Sequence, residues 1–464
     1  MRTNISFDVG SLILINKIDS KYKFFDFILS GLEGRTKHLK QSVKAFIYNK
    51  LGKCVSVCRI NEVYPVECFE SLGFKENPKE RTLYRDLERI GIKWRFIIER
   101  YQQLLKKNTL ISKEQFIDFS SAYFEGNNSE LGALGYSRDH RPDKKQVAFG
   151  VSTGINGIPT GFTIQRGNVQ DKKHFNSSLK IAEKILDEGS ALIFDCGANS
   201  KENKEKIIKR KFNYLTLRPK KQNTYRKHIR IFKQSPKEIV YIDGIKYKCL
   251  KIKEDNEIKY LYYSKKLYKE QIRKRNSKFQ RELKKNKKIL KKVKKGKEIK
   301  RLISEEGHII LKGVIQKTLY KSDNPFITGL EGYFILESSI DDESYKILRL
   351  YKSRDIIEKF IRNMKEGTEL RPMRHWTREA IIGYLIVVFL TNCLIKLAQI
   401  SNENAVVKNV KLLKKFLNNL TVTFIYPEKG LGYSVLSNIS EEVISILGSS
   451  IKNFREKPPD WSCY

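Results

Sequence analysis

Asp118, Asp195 and Glu358 are the residues whose types and settings could do chemistry in this sequence. Asp118 lies in FIDFS, among Phe116, Ile117 and Phe119. A carboxylate inside an apolar strand costs free energy unless it is paired or holds a metal. Asp195 ends the apolar run ALIFD and precedes Cys196 and Gly197. Carboxylates at the carboxyl ends of sheet strands face the crevice where ligands bind. Glu358 sits in IIEKF, ahead of Arg362 and Lys365. Two strand aspartates and one helix glutamate form an oxygen-only donor set, which suits Mg²⁺ or Mn²⁺. Two such ions, about 3.5–4 Å apart, can clamp the attacking and leaving oxygens of an in-line phosphoryl displacement. Each residue also has a plainer reading. Asp118 could cap a turn before Ser120, Asp195 could be a turn residue before Gly197, and Glu358 could pair with Arg354 or Arg362. Glu125, Asp139, Asp143 and Asp171 compete for the same role.

The elements that must position these residues follow from hydrophobic periodicity. Residues 116–126, 146–153 and 158–166 read as strands, and the last two form a hairpin through GING. A helix over 174–188, the strand ALIFD, a helix over 200–211 and the strand FNYLTLR follow. The order β-β-β-α-β-α-β is that of a ribonuclease H-like mixed sheet with helices on both faces. Upstream, residues 1–110 look mostly helical, and residues 80–105 have a helical period with a break near Gly91. Downstream, 239–252, 257–263, 308–316 and 332–336 read as strands. Residues 341–364 and 377–399 read as helices, with a stop at Pro372 between them. The tail holds helices over 406–418 and 441–454 and a strand over 421–426.

Charge narrows the partners. The 464 residues carry 91 Lys and Arg against 52 Asp and Glu, a formal net charge of +39. Such an excess repels itself unless a polyanion neutralises it. Residues 265–301 alone hold 19 Lys/Arg against 3 Glu, with apolar residues at roughly heptad spacing. This stretch reads as a basic helix or helical hairpin directed at phosphates. A solvated surface helix is the plainer reading. Seven Cys without paired CxxC spacing fit reduced thiols rather than a zinc ribbon. The run 381–398 is barely long enough to span a bilayer and carries Asn392 and Lys396. It reads as a helix buried against a sheet, so nucleic acid rather than a membrane is the expected partner.

One stretch carries a resemblance to a known family. YKSRDIIEKFIRNMK places Tyr351, Arg354, Glu358 and Lys365 with two, three and six residues between them. This spacing resembles the Tyr-Arg-Glu-Lys signature of DDE insertion-sequence transposases, a cut-and-paste branch with a β-rich insertion before the catalytic Glu. On one helix, steps of 3, 4 and 7 would put all four residues on one face. IDFSSAYFEG resembles the family's first-Asp strand, and ALIFDCGANSKEN its second. GYSRDHRPDKKQVAFGV, GIPTGFTIQRGNVQD and GTELRPMRHWTREAIIGYLIVVFL resemble its further blocks. The resemblance spans roughly residues 110–400.

The resemblance implies a ribonuclease H-like catalytic domain with Asp118, Asp195 and Glu358 as ligands of two Mg²⁺ or Mn²⁺ ions. It implies that Tyr351, Arg354 and Lys365 grip DNA-end phosphates. His140 and Arg141 are further candidate phosphate contacts, or belong to a loop that braces the sheet. The family commonly stacks an aromatic on a flipped base. Trp94, Trp376 and Trp461 are candidates by type alone, and a core position is the plainer reading of each. The implied organisation is a helical domain at 1–110 that could bind DNA ends, a catalytic domain split between 111–218 and 337–400, an insertion at 219–336, and a helical tail at 401–464. The implied partners are double-stranded DNA, as terminal inverted repeats and as target, and a second copy of the chain. The implied setting is the prokaryotic cytoplasm, at the nucleoid. A ribonuclease H-like nuclease or resolvase, and a silent DNA-binding relic, are the rival readings.

Overall fold

A computed structural model describes residues 4–32, 38–126, 128–254, 257–293, 311–312, 314–315, 324, 326–402, 405–428 and 433–456. The chain forms two compact units. The first comprises Met1–Ile193, Ser200–Phe212 and Ser353–Tyr464, and the second Phe194–Asn199 and Asn213–Lys352. The architecture is mixed α/β, and the element order from Glu114 to Leu217 is consistent with a ribonuclease H-like fold.

In the first unit, β1 (Ile5–Asp8) opens the chain and β2 (Glu114–Tyr123), β3 (Gln146–Gly154) and β4 (Pro159–Arg166) form an antiparallel meander. β5 (Ala191–Phe194) follows β2 in the strand order β4-β3-β2-β5. Every residue of β3 is buried, VAFGV included, and the helices Asp171–Ala182 and Asp355–Arg362 both pack against it. The GING turn closes the β3–β4 hairpin, with Gly157 at a φ of 80° that a side chain would resist. The expected helix over 174–188 is instead Asp171–Ala182. It starts earlier because Asp171 favours the positive end of the helix dipole. In a second sheet β1 pairs with Thr421–Ile425, which pairs with Tyr433–Ser437.

The long apolar helix Arg378–Ile400 is the core of this unit, with 89% of its most apolar window buried. Thr377 caps it by accepting from the Ala380 amide. Phe389 stacks on Phe162 of β4, with centroids 4.8 Å apart. Its closest neighbour is a helix rather than the sheet. A Cβ on Gly383 would lie 2.0 Å from the Leu87 carbonyl oxygen, and one on Gly91 would lie 1.9 Å from that of Glu379. Gly91 is the last residue but one of the helix Glu80–Ile92, and its missing side chain permits this close packing. The break falls at Lys93, before Trp94–Lys107. Gly383→Ala should cost about 1–3 kcal/mol, because backbone rather than a side-chain tip would have to move. A drop in the thermal midpoint checks this; an unchanged midpoint would mean that the helices part without cost.

In the second unit the strand order is β6-β12-β9-β8-β7, with antiparallel pairing throughout. The strands are β6 (Asn213–Leu217), β7 (Glu238–Ile242), β8 (Ile245–Glu254), β9 (Glu257–Tyr263) and β12 (Tyr333–Ser338). The expected single strand over 239–252 is a hairpin. Asp243 and Gly244 take φ values of 50° and 71°, the signature of an Asp-Gly type I′ turn. Alternation along β9 and β12 divides the sheet's faces. Leu261 and Ile335 pack with Tyr225, Ile229 and Phe232 of the helix Gln222–Gln234. Tyr262 stacks on Phe334, and its hydroxyl donates to the carbonyl of Ser344, the first residue of the helix Ser344–Lys352.

The Lys-rich stretch is one helix, Lys265–Val293, and residues 294–301 lie outside the described residues. Most of the expected strand over 308–316 also lies outside them. Within it, β10 (Leu311–Lys312) and β11 (Val314–Ile315) pair with each other, antiparallel.

Candidate active site

Asp118 occupies the middle of β2, opposite Val151 of β3. Its neighbours Ile117 and Phe119 are buried, whereas its own side chain is 23% exposed. It is therefore not a turn cap. Its Oδ1 accepts from the Phe119 amide at 3.0 Å. Next to it the buried His174 ring lies 4.8 Å from that of Phe119 and bonds Thr163 Oγ1 at 2.9 Å. Burial, and then the charge of Arg138, push the His174 pKa down to about 3, so the ring stays neutral beside the strand.

Asp195 follows β5 directly and caps the turn Cys196–Ala198 by accepting from the Cys196 amide at 2.7 Å. The Tyr351 hydroxyl lies 3.4 Å from the same oxygen, Oδ1. Close in the chain, Asn199 donates to the Leu217 carbonyl and to the Glu337 carboxylate, which Arg218 also binds. Glu337 is buried in β12 and was not expected at the site. Its period-2 placement among Ile335, Leu336 and Ser338 was the available signal.

The four signature residues do not share one helix. The helix Ser344–Lys352 carries Tyr351, Arg354 sits at the break, Asp355–Arg362 carries Glu358, and Asn363–Gly367 carries Lys365. At the break the bonding shortens to three residues, Ile356 to Ser353 and Ile357 to Arg354. Ser and Asp compete for backbone bonds there, and Asp355 favours a new helix start. After Arg362 the ladder widens, and the Thr368 amide reaches back five residues to Asn363. Spacing that aligns residues on one ideal helix does not survive these two changes of pitch.

Arg354 nevertheless joins two of the carboxylates. Its guanidinium bonds Glu358 Oε1 at 2.7 Å and lies 4.0 Å from Asp118 Oδ1. Arg354 is 13% exposed and Glu358 45% exposed. A positive charge thus sits between two of the three candidate ligands, where a divalent ion would also find oxygen donors. The donor chemistry fits Mg²⁺ or Mn²⁺. Among the described residues, no group of three His, Cys, Asp or Glu is gathered closely enough to hold an ion.

Lys365 is buried, and its ammonium lies 2.7 Å from Asp139 Oδ1. Arg371 binds the same oxygen, and the Asp139 side chain is 1% exposed. Burial lowers the Lys365 pKa, while the bond and charge of Asp139 raise it. Asp139 is thus a hub for two cations rather than a ligand beside Asp118 and Glu358. The next residue, His140, is exposed and takes a left-handed φ of 56°. Arg141 forms a two-pronged pair with Asp143, its amide donates to Ser137, and its guanidinium lies over the Tyr123 ring. Arg141 and Asp139 tie this loop to its neighbours, in keeping with a bracing role. Trp376 is 66% exposed rather than in the core, Trp94 is half-buried, and Trp461 lies outside the described residues.

Asp118 lies on a strand of a mixed sheet, and Asp195 directly follows another. A family model described as the transposase DDE domain matches residues 116–394, more than half of the chain. The chain belongs to that family, whose members are DNA transposases and generally use divalent metal ions. No curated protein matches the chain. Among solved structures, the cryo-EM structure of the piggyBac transposase synaptic complex with hairpin DNA matches with 11% identity and a TM-score of 0.45, over 97% of this chain and 81% of that one.

Proposed function

We propose that this chain is a cut-and-paste DNA transposase of the Tyr-Arg-Glu-Lys branch. It would nick the terminal inverted repeats of its own element to expose 3′-hydroxyls and join them to target DNA. The observation that carries this reading is the Arg354 guanidinium set between Asp118 and Glu358.

Asp118, Asp195 and Glu358 would hold two Mg²⁺ or Mn²⁺ ions. Bound there, the ions would supply positive charge at the scissile phosphate and lower the pKa of an attacking hydroxyl. The chain's own residues prepare that site. Arg354 offsets the repulsion between Asp118 and Glu358 and holds the Glu358 side chain in place. A guanidinium has five donors in a planar fork, which suits it to a phosphate oxygen as well as to a carboxylate. The Tyr351 hydroxyl fixes Asp195 and can meet the DNA end. Lys365 would contact DNA only by leaving Asp139, so its first role is to hold the turn after the Glu358 helix. His140, exposed on the neighbouring loop, would be a secondary phosphate contact, and Arg141 would become one only by leaving Asp143.

The +39 charge would supply affinity for duplex DNA that falls steeply with salt. The helical residues 1–110 would read the ends, the Lys-rich helix would contact the insertion's share of the DNA, and two copies would assemble on two ends. The setting would be the prokaryotic nucleoid. The test is a cleavage and joining assay with Mg²⁺ or Mn²⁺ and labelled duplexes of the sequences that flank the gene. Specific nicks together with joined products are expected. Cuts without joining would make the chain a nuclease or resolvase, and binding without cuts would make it a relic.

A further inference from the structure

A second basic segment lies in the second unit, apart from the Lys-rich helix. Residues 218–237 contain eight Lys and Arg and neither Asp nor Glu. They include the helix Gln222–Gln234, which is strongly two-sided. Its inner stripe, Tyr225, His228, Ile229 and Phe232, is buried. His228 is accounted for there by the Thr224 carbonyl and by Glu254. The outer residues Arg226, Lys227, Arg230 and Lys233 are all exposed. Among the described residues, none of these four has a carboxylate partner.

The rest of the unit behaves differently. Lys251 and Lys253 share Asp341, Lys259 binds Glu254, Lys346 binds Asp342 and Glu343, and Arg275 binds Glu331. Asp341, Asp342 and Glu343 precede the helix Ser344–Lys352, on the sheet face opposite the helix Gln222–Gln234. Glu254 does reach the helix Gln222–Gln234, but it bonds the buried His228 and Lys259 and leaves the outer face without a carboxylate. A merely solvated helix face usually interleaves both signs. Four unpaired cations on one face lose free energy by mutual repulsion unless a polyanion meets them.

From these observations we infer that the outer face of Gln222–Gln234 is a sequence-independent docking surface for the backbone of duplex DNA. The inference rests on the DNA-transposase reading and names a surface that it uses. Arg226, Arg230 and Lys233 follow steps of four and three, so they form one stripe, and Lys227 flanks it. Seven residues of helix rise about 10 Å, close to three phosphates of one strand at about 3.4 Å each along the axis. A membrane surface is the weaker partner, because a helix that lies in lipid buries its apolar face there. Here that face is already covered by Leu261, Leu330 and Ile335.

The test is the salt dependence of duplex binding by the full chain. The variant R226Q/K227Q/R230Q/K233Q is compared with wild type on an end-sequence duplex and on a scrambled duplex. Each phosphate contact contributes about 0.9 to the slope of log K against log salt. The slope should flatten by about 3 on both duplexes. The charge-preserving variant R226K/R230K should keep the wild-type slope. Thermal midpoints of both variants near that of wild type show that the fold is intact. A wild-type slope in the glutamine variant overturns the inference, and so does a change confined to the end duplex. Failure of wild type to bind either duplex overturns the DNA reading beneath it, a result distinct from binding with an unchanged slope.

Discussion

Glu358→Gln, Asp118→Asn and Asp195→Asn should each cut the rate of DNA cleavage by about a thousandfold or more, with duplex binding close to wild type. Ligation of divalent ions supplies several kcal/mol of transition-state stabilisation, and about 1.4 kcal/mol is a factor of ten in rate. The amide replacements keep size and hydrogen-bonding oxygen and remove charge. Glu358 is 45% exposed, so its glutamine variant loses no packing and still offers an oxygen to Arg354. Asn at 118 can still accept from the Phe119 amide, and Asn at 195 from that of Cys196. Loss of activity would therefore report chemistry rather than unfolding. The measurement is single-turnover cleavage beside a binding titration on the same duplex. Wild-type cleavage by any one variant would remove that residue from the ligand set.

The sequence was most legible where one period ran unbroken. The strands that carry Asp118 and Asp195 were readable because FIDF and ALIF are short apolar runs bounded by turn residues. The apolar helix over 378–400 was readable for the same reason, and its burial followed from its composition. Legibility failed where a few residues change the pitch. Ser353 and Arg354 split what periodicity joins into one helix, because a three-residue bond replaces a four-residue one. Asp243 and Gly244 fold one apparent strand into two, and that signal was present in the letters. The break near Gly91 was legible to within two residues, whereas the close packing that Gly91 makes against the Glu379 carbonyl was not, because a glycine required by a distant backbone has the same letter as one that ends a helix. The hub at Asp139 could not be seen at all. Its partners Lys365 and Arg371 are more than two hundred positions away, and only folding brings them together.

That hub carries the largest stability effect expected of one surface-loop residue. Asp139→Ala should destabilise the chain by about 3–5 kcal/mol, the usual cost of removing one partner of a buried ion pair. The Asp139 side chain is 1% exposed and that of Lys365 is 9% exposed. Without the carboxylate, Lys365 would have to hold an uncompensated charge in a buried site or give up its proton, and Arg371 would retain a 3.8 Å approach to Glu366. Lys365→Met should cost less, because Arg371 would still neutralise Asp139 and an apolar chain fits a buried site. The double variant Asp139→Ala/Lys365→Met should recover part of the loss, because it removes the stranded charge together with its partner. Thermal unfolding of the four proteins gives the coupling. Equal losses in the two single variants, or additive losses in the double, would mean that the pair is solvated and that Lys365 is free to meet DNA without first breaking a buried bond.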